Sequence, residues 1–430
     1  MKNPYLKRFF GFLLIETGKG CYNSDMKDMM KIEEAEKEPN IPEYGLEEGV
    51  ERLSELVREK VSRQEEPVIV EVAGGSASGK TTAVTVKIKE MFGEEAAVIS
   101  MDDYYQGKMF MEERTKKGET LNWDQPEALN LELLKEQLSE LKASKTIEKP
   151  VYDFKVSEST RTERIEPRRV IIVEGLFALN EKIKDKGDVK AFVEIGTHGR
   201  ILRRLLRDME RTGQKPADIL KYFAEVVEPM HEKYIESTKK NADIIINNEY
   251  SPGVEAEQSG LHEVQLKFRG ELDEKTLNKS GAEQVSKTIQ VDNYYNPRDR
   301  NLIETGEILR IREEDGYGVL TYKGPKIESK YGERPKFEFE IDKETEKKFL
   351  LIYGEKVKII KKERKLYRLD GVEFSLDYVS KVKDDKIIEL GKFIEIRSTN
   401  KMVDEQKLDE VLLKLGLDVN RGIKESYFEM

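Results

Sequence analysis

Residues 74–82 read Gly74-Gly75-Ser76-Ala77-Ser78-Gly79-Lys80-Thr81-Thr82 and follow an apolar run from Val68 to Ala73. The spacing G-x-x-x-x-G-K-[ST] between a buried strand and a helix is that of a loop that cradles phosphates. Gly74 and Gly79 let the backbone curl so that successive N–H groups converge on phosphate oxygens. Lys80 would neutralise the β- and γ-phosphates, Thr81 would hold Mg2+, and the following helix would set its positive end against the anion. A glycine-rich turn that matches by chance is the competing explanation. The apolar run before the loop and the helix-forming stretch Ala83 to Met91 after it count against chance. The expected ligand is a nucleoside triphosphate, contacted by residues 74–82.

A second set of charged residues lies in the other half and has a different rhythm. Glu263 and Lys267 share one face of an alternating segment, as do Arg310 and Arg312, Glu338 and Glu340, and Lys362 and Arg364. An open sheet would turn such faces to water. A sheet closed into a barrel would turn both signs of charge inward. Lys267, Arg310, Arg312, Lys323 and Arg364 would then grip a polyphosphate, and Glu263, Glu338, Glu340, Asp377 and Glu395 would hold divalent cations through oxygen. Both signs are needed, because either set buried alone repels itself.

The elements that must position these residues fall into two kinds. From Pro67 to Asn248, short apolar runs (Val68–Ala73, Ala96–Ser100, Val170–Val173, Ala191–Ile195, Asp243–Ile246) alternate with amphipathic helices, which predicts an α/β domain with a parallel sheet covered on both faces. Leu46 to Val61 has helical spacing and predicts a lead-in helix. Linker composition runs through 251–261. Beyond it, Glu263–Phe268, Leu309–Arg312, Phe337–Ile341, Phe374–Val379 and Phe393–Arg397 alternate apolar with polar, which predicts antiparallel strands. The expected organisation is an extension over 1–45 without fixed structure, an α/β domain over 46–250, the linker, and a strand-rich domain over 262–430, each domain with a separate core. Met26, Met29 and Met30 are alternative starts.

A length of 430 residues suits two domains. A net charge of −10 argues against general nucleic-acid binding by counterion release. One cysteine, Cys21, excludes an intrachain disulfide framework and fits a reducing cytoplasm. The short apolar stretch Phe9–Ile15 is interrupted by Glu16 and lacks a small-residue cleavage site, and no window is long enough to span a bilayer.

The order of motifs Ile99-Ser-Met-Asp-Asp-Tyr-Tyr, Asn122-Trp-Asp-Gln-Pro, Pro150-Val-Tyr-Asp-Phe, Val173-Glu-Gly-Leu, Arg203-Arg-Leu-Leu-Arg-Asp and Thr238-Lys-Lys-Asn-Ala-Asp resembles the uridine kinase and phosphoribulokinase family over about residues 67–248. The resemblance implies ATP-dependent phosphoryl transfer to a hydroxyl. It makes Asp102 the base, Glu174 the acidic residue that holds Mg2+ through water, Tyr105, Asp124 and Tyr152 the acceptor site, and Arg203, Arg204 and Arg207 the cations of a lid helix. The sequence departs from the family at the acceptor end. No histidine precedes His198, so the base-reading histidine of uridine kinases has no counterpart after Val151-Tyr-Asp-Phe, and the lid reads Glu210-Arg-Thr-Gly-Gln without an arginine directly before the glycine.

Residues 262–430 resemble the CYTH superfamily of triphosphate tunnel metalloenzymes. The resemblance is carried by Glu263-Val-Gln-Leu-Lys267, Asp292-Asn-Tyr-Tyr295, Leu309-Arg-Ile-Arg, Leu320-Thr-Tyr-Lys-Gly-Pro, Phe337-Glu-Phe-Glu, Lys362-Glu-Arg364, Leu376-Asp-Tyr-Val and Leu390-Gly-Lys-Phe-Ile-Glu. It implies an α+β antiparallel tunnel-type barrel. Gln265 and Arg397 stand where the family has carboxylates, which favours polyphosphate binding over efficient hydrolysis. The expected activity is phosphoryl transfer from ATP to a nucleoside-like acceptor, with Mg2+ or Mn2+. The alternatives are polyphosphate or nucleoside-triphosphate hydrolysis in the tunnel, and a tunnel that only senses polyphosphate and regulates the kinase. Expected partners are these small molecules, with neither nucleic acid nor membrane, and a homo-oligomer is compatible with the sequence.

Overall fold

The computed structural model describes residues 40–119, 121–249, 262–298, 300–314, 317–327, 329–384, 386–399 and 405–430. Cys21, the stretch Phe9–Ile15 and the expected linker 251–261 lie outside the described residues.

The first half runs β1 (Glu43–Gly45), α1 (Leu46–Arg63), β2 (Val68–Gly74), a helix that opens with wide turns over Lys80–Thr85 and continues as α2 (Val86–Phe92), β3 (Ala96–Ser100), α3 (Lys108–Lys116), α4 (Leu131–Lys142), β4 (Ile147–Asp153), β5 (Glu158–Ile165), β6 (Val170–Glu174), β7 (Val189–Glu194), α5 (Thr197–Thr212), α6 (Pro216–Tyr222) and β8 (Ile244–Asn247). Six strands form a parallel sheet in the order β1-β8-β7-β2-β6-β3. Period-2 alternation gives the sheet its two buried faces. Val68, Val70 and Val72 pack with α1 through Val50, Leu53 and Val57, while Ile69 and Ala73 face α4 through Leu134, Leu138 and Leu141. Residues 43–45, expected within the unstructured extension, instead pair with β8 as an edge strand. The β4–β5 hairpin is a further addition to the expected elements.

The second half runs β9 (His262–Arg269), α7 (Glu274–Ser280), β10 (Glu283–Pro297), β11 (Ile308–Glu314), β12 (Tyr317–Lys323), β13 (Glu333–Ile341), α8 (Lys343–Tyr353), β14 (Gly354–Leu369), β15 (Val372–Lys383), β16 (Lys386–Thr399) and α9 (Glu405–Lys414). The strands close into an antiparallel barrel, β10-β11-β12-β13-β9-β16-β15-β14. Asp273 and Asp342 cap α7 and α8 by accepting from the backbone N–H three residues on. Along β9, Val264, Leu266 and Phe268 face outward into an apolar cluster with Leu408, Val411 and Leu412 of α9. Glu263 and Lys267 therefore fall on the lumen face.

The two cores are not separate, contrary to the sequence expectation. Ile201, Leu202 and Leu205 of α5 and Ile219 and Leu220 of α6 share one buried cluster with Leu309 and Ile311 of β11, Leu320 and Tyr322 of β12, and Phe349 of α8. An apolar stripe on a helix does not say which partner will cover it.

Candidate functional site

All parallel strands deliver their carboxyl ends to one edge, and the glycine-rich loop leaves β2 there. Gly79 has φ +84°, and a Cβ at that position would stand 2.2 Å from the Asn248 side chain. At Gly74 a Cβ would stand 2.4 Å from the Val193 carbonyl oxygen. Only glycine fits either place. Asn248, just beyond β8, donates to the Ser78 carbonyl at 2.7 Å and braces the loop. Lys80 Nζ lies 3.4 Å from the Gly75 carbonyl.

β3 and β6 end side by side with Ser100 opposite Glu174. Glu174, 4% exposed, accepts from Thr81 Oγ1 at 2.9 Å and from Ser100 Oγ at 2.7 Å. A hydroxyl and a carboxylate this close are hard oxygen donors suited to Mg2+, which would neutralise charge on bound phosphates. Asp102 follows on a single 3-10 turn, Met101–Tyr104. The structure separates it from Asp103, which pairs with the Lys149 ammonium and accepts from the Tyr152 backbone N–H at 3.2 Å. Asp102 is reached by solvent through the cleft. Protein atoms crowded around it still raise its carboxyl above the ordinary aspartate range, and Lys80 opposes them. A carboxylate so placed can accept a proton.

Tyr105 and Tyr152 meet with ring centroids 5.4 Å apart, and Trp123 and Phe154 extend the aromatic wall at 5.7 and 6.2 Å from Tyr105. Asp124, 7% exposed, accepts from Tyr222 Oη at 3.0 Å. Burial raises its carboxyl, against the pull of Arg204. The helix α5 faces this cleft. Arg204 donates to Ser76 Oγ at 3.0 Å, and Arg203 reaches the Ser78 carbonyl at 3.4 Å. Arg207 bonds Asp208 at 2.7 Å and acts on Asp102 and Asp124 through its charge. The expected loop, acceptor and lid residues are thus brought to one cleft. Trp123, Tyr222 and Asn248 join it from positions to which sequence reasoning gave no role.

In the barrel, Lys267, Arg310, Arg312, Lys323 and Arg364 are all buried, as are Glu263, Asp377 and Glu395. Glu263 pairs with Lys323 and with Lys336 at 2.9 Å. Burial opposes its charge, but the two ammoniums hold its carboxyl far below the usual range. Lys323 itself comes down to about 8, burial outweighing Glu263. Arg364 bonds Asp377 at 2.6 Å and Glu395 at 2.9 Å. The centre is Asp292, to which the sequence reading gave no role. It is 0% exposed and holds Arg312 at 2.6 Å, Lys362 at 2.7 Å and Arg310 at 3.3 Å. Lys267 lies 3.9 Å from Glu395 and 5.1 Å from the Tyr427 ring, and its Nζ has no hydrogen-bond acceptor among the described residues. Tyr427 enters the lumen and donates to Asp377 at 3.0 Å. The void left among Gln265, Arg310, Lys362 and Tyr427 is about 20 Å³, room for one water.

Two features of the tunnel bear on the expected metal ligands. Glu338 and Glu340 are both exposed, unlike Glu263, Asp377 and Glu395. The remaining carboxylates are engaged by cations of the chain: Glu263, Asp377 and Glu395 pair with buried basic groups and Glu338 with Lys336 at 2.7 Å, and no group of three acidic, histidine or cysteine side chains among the described residues is spaced to hold an ion. Arg397, in place of an acid, pairs with Glu373 at 3.2 Å.

A phosphate-cradling loop on a parallel sheet, with an aspartate and an arginine-bearing helix across the cleft, defines a P-loop kinase domain. The chain belongs to the phosphoribulokinase/uridine kinase family, whose model matches residues 69–251, and residues 261–427 match the CYTH domain. It is 40% identical over 189 residues to a uridine kinase of Ligilactobacillus salivarius, covering 43% of this chain and 87% of that one. A uridine kinase of Macrococcus caseolyticus is 44% identical over 184 residues, 41% of this chain and 86% of that one. Among solved structures, the PH1819 protein of Pyrococcus horikoshii is 34% identical with a TM-score of 0.32, covering 39% of this chain and 96% of that one. No helix among the described residues is long and apolar enough to cross a membrane.

Proposed function

We propose that the chain transfers the γ-phosphoryl group of Mg2+-bound ATP to a hydroxyl of a nucleoside-like acceptor held between Tyr105, Asp124 and Tyr152, and that it works in the cytoplasm. The acceptor hydroxyl loses its proton to the Asp102 carboxylate as its oxygen bonds to the γ-phosphorus. The bridging bond to the β-phosphate breaks and ADP leaves, with Lys80 and the α5 arginines stabilising the transferred charge. The observation that carries this reading is the convergence of Lys80, Glu174 and Asp102 at one sheet edge while Asp103 is occupied elsewhere. The aromatic wall suits a flat base, although no histidine reads it.

The tunnel is proposed to bind polyphosphate rather than to hydrolyse it, the anion displacing Asp292 and Tyr427 from the cations because the lumen as it stands has room for one water. Lys267 is fully buried, has no hydrogen-bond acceptor among the described residues and is lowered from the usual lysine range by burial against the pull of Glu395 at 3.9 Å, so an entering anion would favour its charged form. Carboxylates saturated by internal cations support the sensing reading over the hydrolytic one.

The test incubates the protein with ATP, Mg2+ and a panel of nucleosides and other small alcohols, and separately follows phosphate release from tripolyphosphate. Lys80→Ala should abolish transfer and leave tripolyphosphate binding in place. Unchanged turnover in that variant would sink the loop assignment.

A further inference from the structure

We propose that His198 and Glu307 are positioning residues for phosphoryl transfer, joining the lid helix to the barrel so that the tunnel wall sets where the lid arginines stand. The helix α5 has two working faces. On one, Arg203 and Arg204 touch the phosphate loop at Ser78 and Ser76. On the other, Leu202 and Leu205 are buried against the barrel. At its first turn His198, 1% exposed, places Nε2 3.1 Å from Glu307 Oε1, and its Nδ1 meets the Tyr353 hydroxyl. Glu307, also 1% exposed, accepts in addition from Tyr322 Oη, Thr305 Oγ1 and Arg300 Nε, each at 2.6 Å. Four groups of the second half thus converge on one buried carboxylate–imidazole pair, whose two members come from the two halves of the chain.

Glu307 leads directly into β11, and period 2 makes that strand two-sided. Leu309 and Ile311 point out to the lid cluster, while Arg310 and Arg312 point in to Asp292. The neighbouring strand repeats the pattern, with Tyr322 outward on Glu307 and Thr321 inward on Arg310 at 2.8 Å. One strand layer and one helix therefore separate the tunnel cations from the glycine-rich loop. A close-packed wall of this kind transmits displacement rather than absorbing it. The lid reaches the transition state only if the barrel holds it, and an anion gripped by Arg310 and Arg312 acts on the same wall. That second consequence rests on the polyphosphate reading above.

The experiment uses the full chain. His198→Phe and Glu307→Ala should lower kcat by at least about tenfold while ATP affinity changes little, a loss short of the ~10²–10³-fold expected when a transition-state donor is removed outright. Glu307→Gln, which keeps an acceptor for Tyr322, should recover part of the loss. A purely structural pair would change melting temperature without this split between kcat and KM, so folded variants with parental kcat overturn the proposal. If the variants do not fold, hydrogen exchange across residues 197–212 of the parent decides, with ADP filling the loop and tripolyphosphate added as probe. Altered protection supports the proposal. Unaltered protection, with calorimetry showing tripolyphosphate bound, overturns it. Calorimetry showing no binding removes the polyphosphate reading instead, and Glu307→Gln kinetics then judge the positioning role alone.

Discussion

Asp292→Asn tests the tunnel most directly. The carboxylate is 0% exposed and holds Arg310, Arg312 and Lys362 within 3.3 Å. Burial works against its ionised form, yet the three cations win and keep it charged. Removing one partner of a buried ionic cluster costs about 3–5 kcal/mol, because the remaining charges lose their compensation. Asparagine still accepts one hydrogen bond, and Lys362, already brought down to about 7 mainly by burial, can shed its proton. Both effects place the expected loss near ~3 kcal/mol, or roughly 6–12 °C in the barrel's melting temperature at ~2–4 °C per kcal/mol. The same change removes the anion that competes for the three cations, so tripolyphosphate should bind the variant more tightly than the parent. Its stabilisation should then grow with ligand concentration as RT ln(1 + [L]/Kd). Differential scanning calorimetry with and without tripolyphosphate, at pH 7 and low salt, reads both quantities. A variant that melts at the parental temperature without ligand, or binds tripolyphosphate more weakly, refutes the assignment of Asp292 as the internal counter-ion.

Asp102→Asn should retain ATP affinity and lose about 10²–10⁴-fold in kcat, as expected when a general base is removed; single-turnover kinetics beside equilibrium nucleotide binding check this, and a loss of only a few-fold makes the residue structural. The parent's rate should fall on acidification through an inflection above the ordinary aspartate value, because desolvation by the protein atoms around the cleft raises the Asp102 carboxyl and the base must be ionised to act. Glu71, fully buried in β2, has its carboxyl pushed by burial from 4.5 up to about 8, so the folded state holds a proton that the unfolded state has released between those values. Its contribution is fully present below about 4.5 and is lost as the pH rises through 8, roughly 3–5 kcal/mol in all, and Glu71→Gln should flatten urea midpoints measured between pH 5 and 9.

Much of the nucleotide end is legible locally. The loop's spacing, the apolar run before it and the helix after it are neighbours in the chain, and the β-branched strands around them read as a buried parallel sheet. At the acceptor end, Tyr105, Asp124 and Tyr152 come together as the motifs imply, but Tyr222 reaches Asp124 from 98 residues away and nothing local marks it. The adjacent Asp102 and Asp103 are alike in sequence. Only the arrival of Lys149 from the β4–β5 hairpin makes one of them a structural anchor and leaves the other to the cleft.

For the barrel, the sequence by itself determined which residues share a strand face, because side chains alternate with period 2 whatever the strand pairs with. It determined that both signs of charge lie together at Glu263 with Lys267, and that Arg310 and Arg312 share one face. Tertiary structure alone decided that Asp292 meets Arg310, Arg312 and Lys362 across paired strands, and that Tyr427 fills the lumen. It also decided that the apolar stripe of α5 is covered by β11 and β12, which makes the two cores continuous. The physical reason is the same in each case. Periodicity is a property of neighbouring residues, whereas an ion pair, a closed sheet and a covered helix face depend on register and docking between segments far apart in the chain, where the cost of burying charge and the gain from burying apolar surface are balanced.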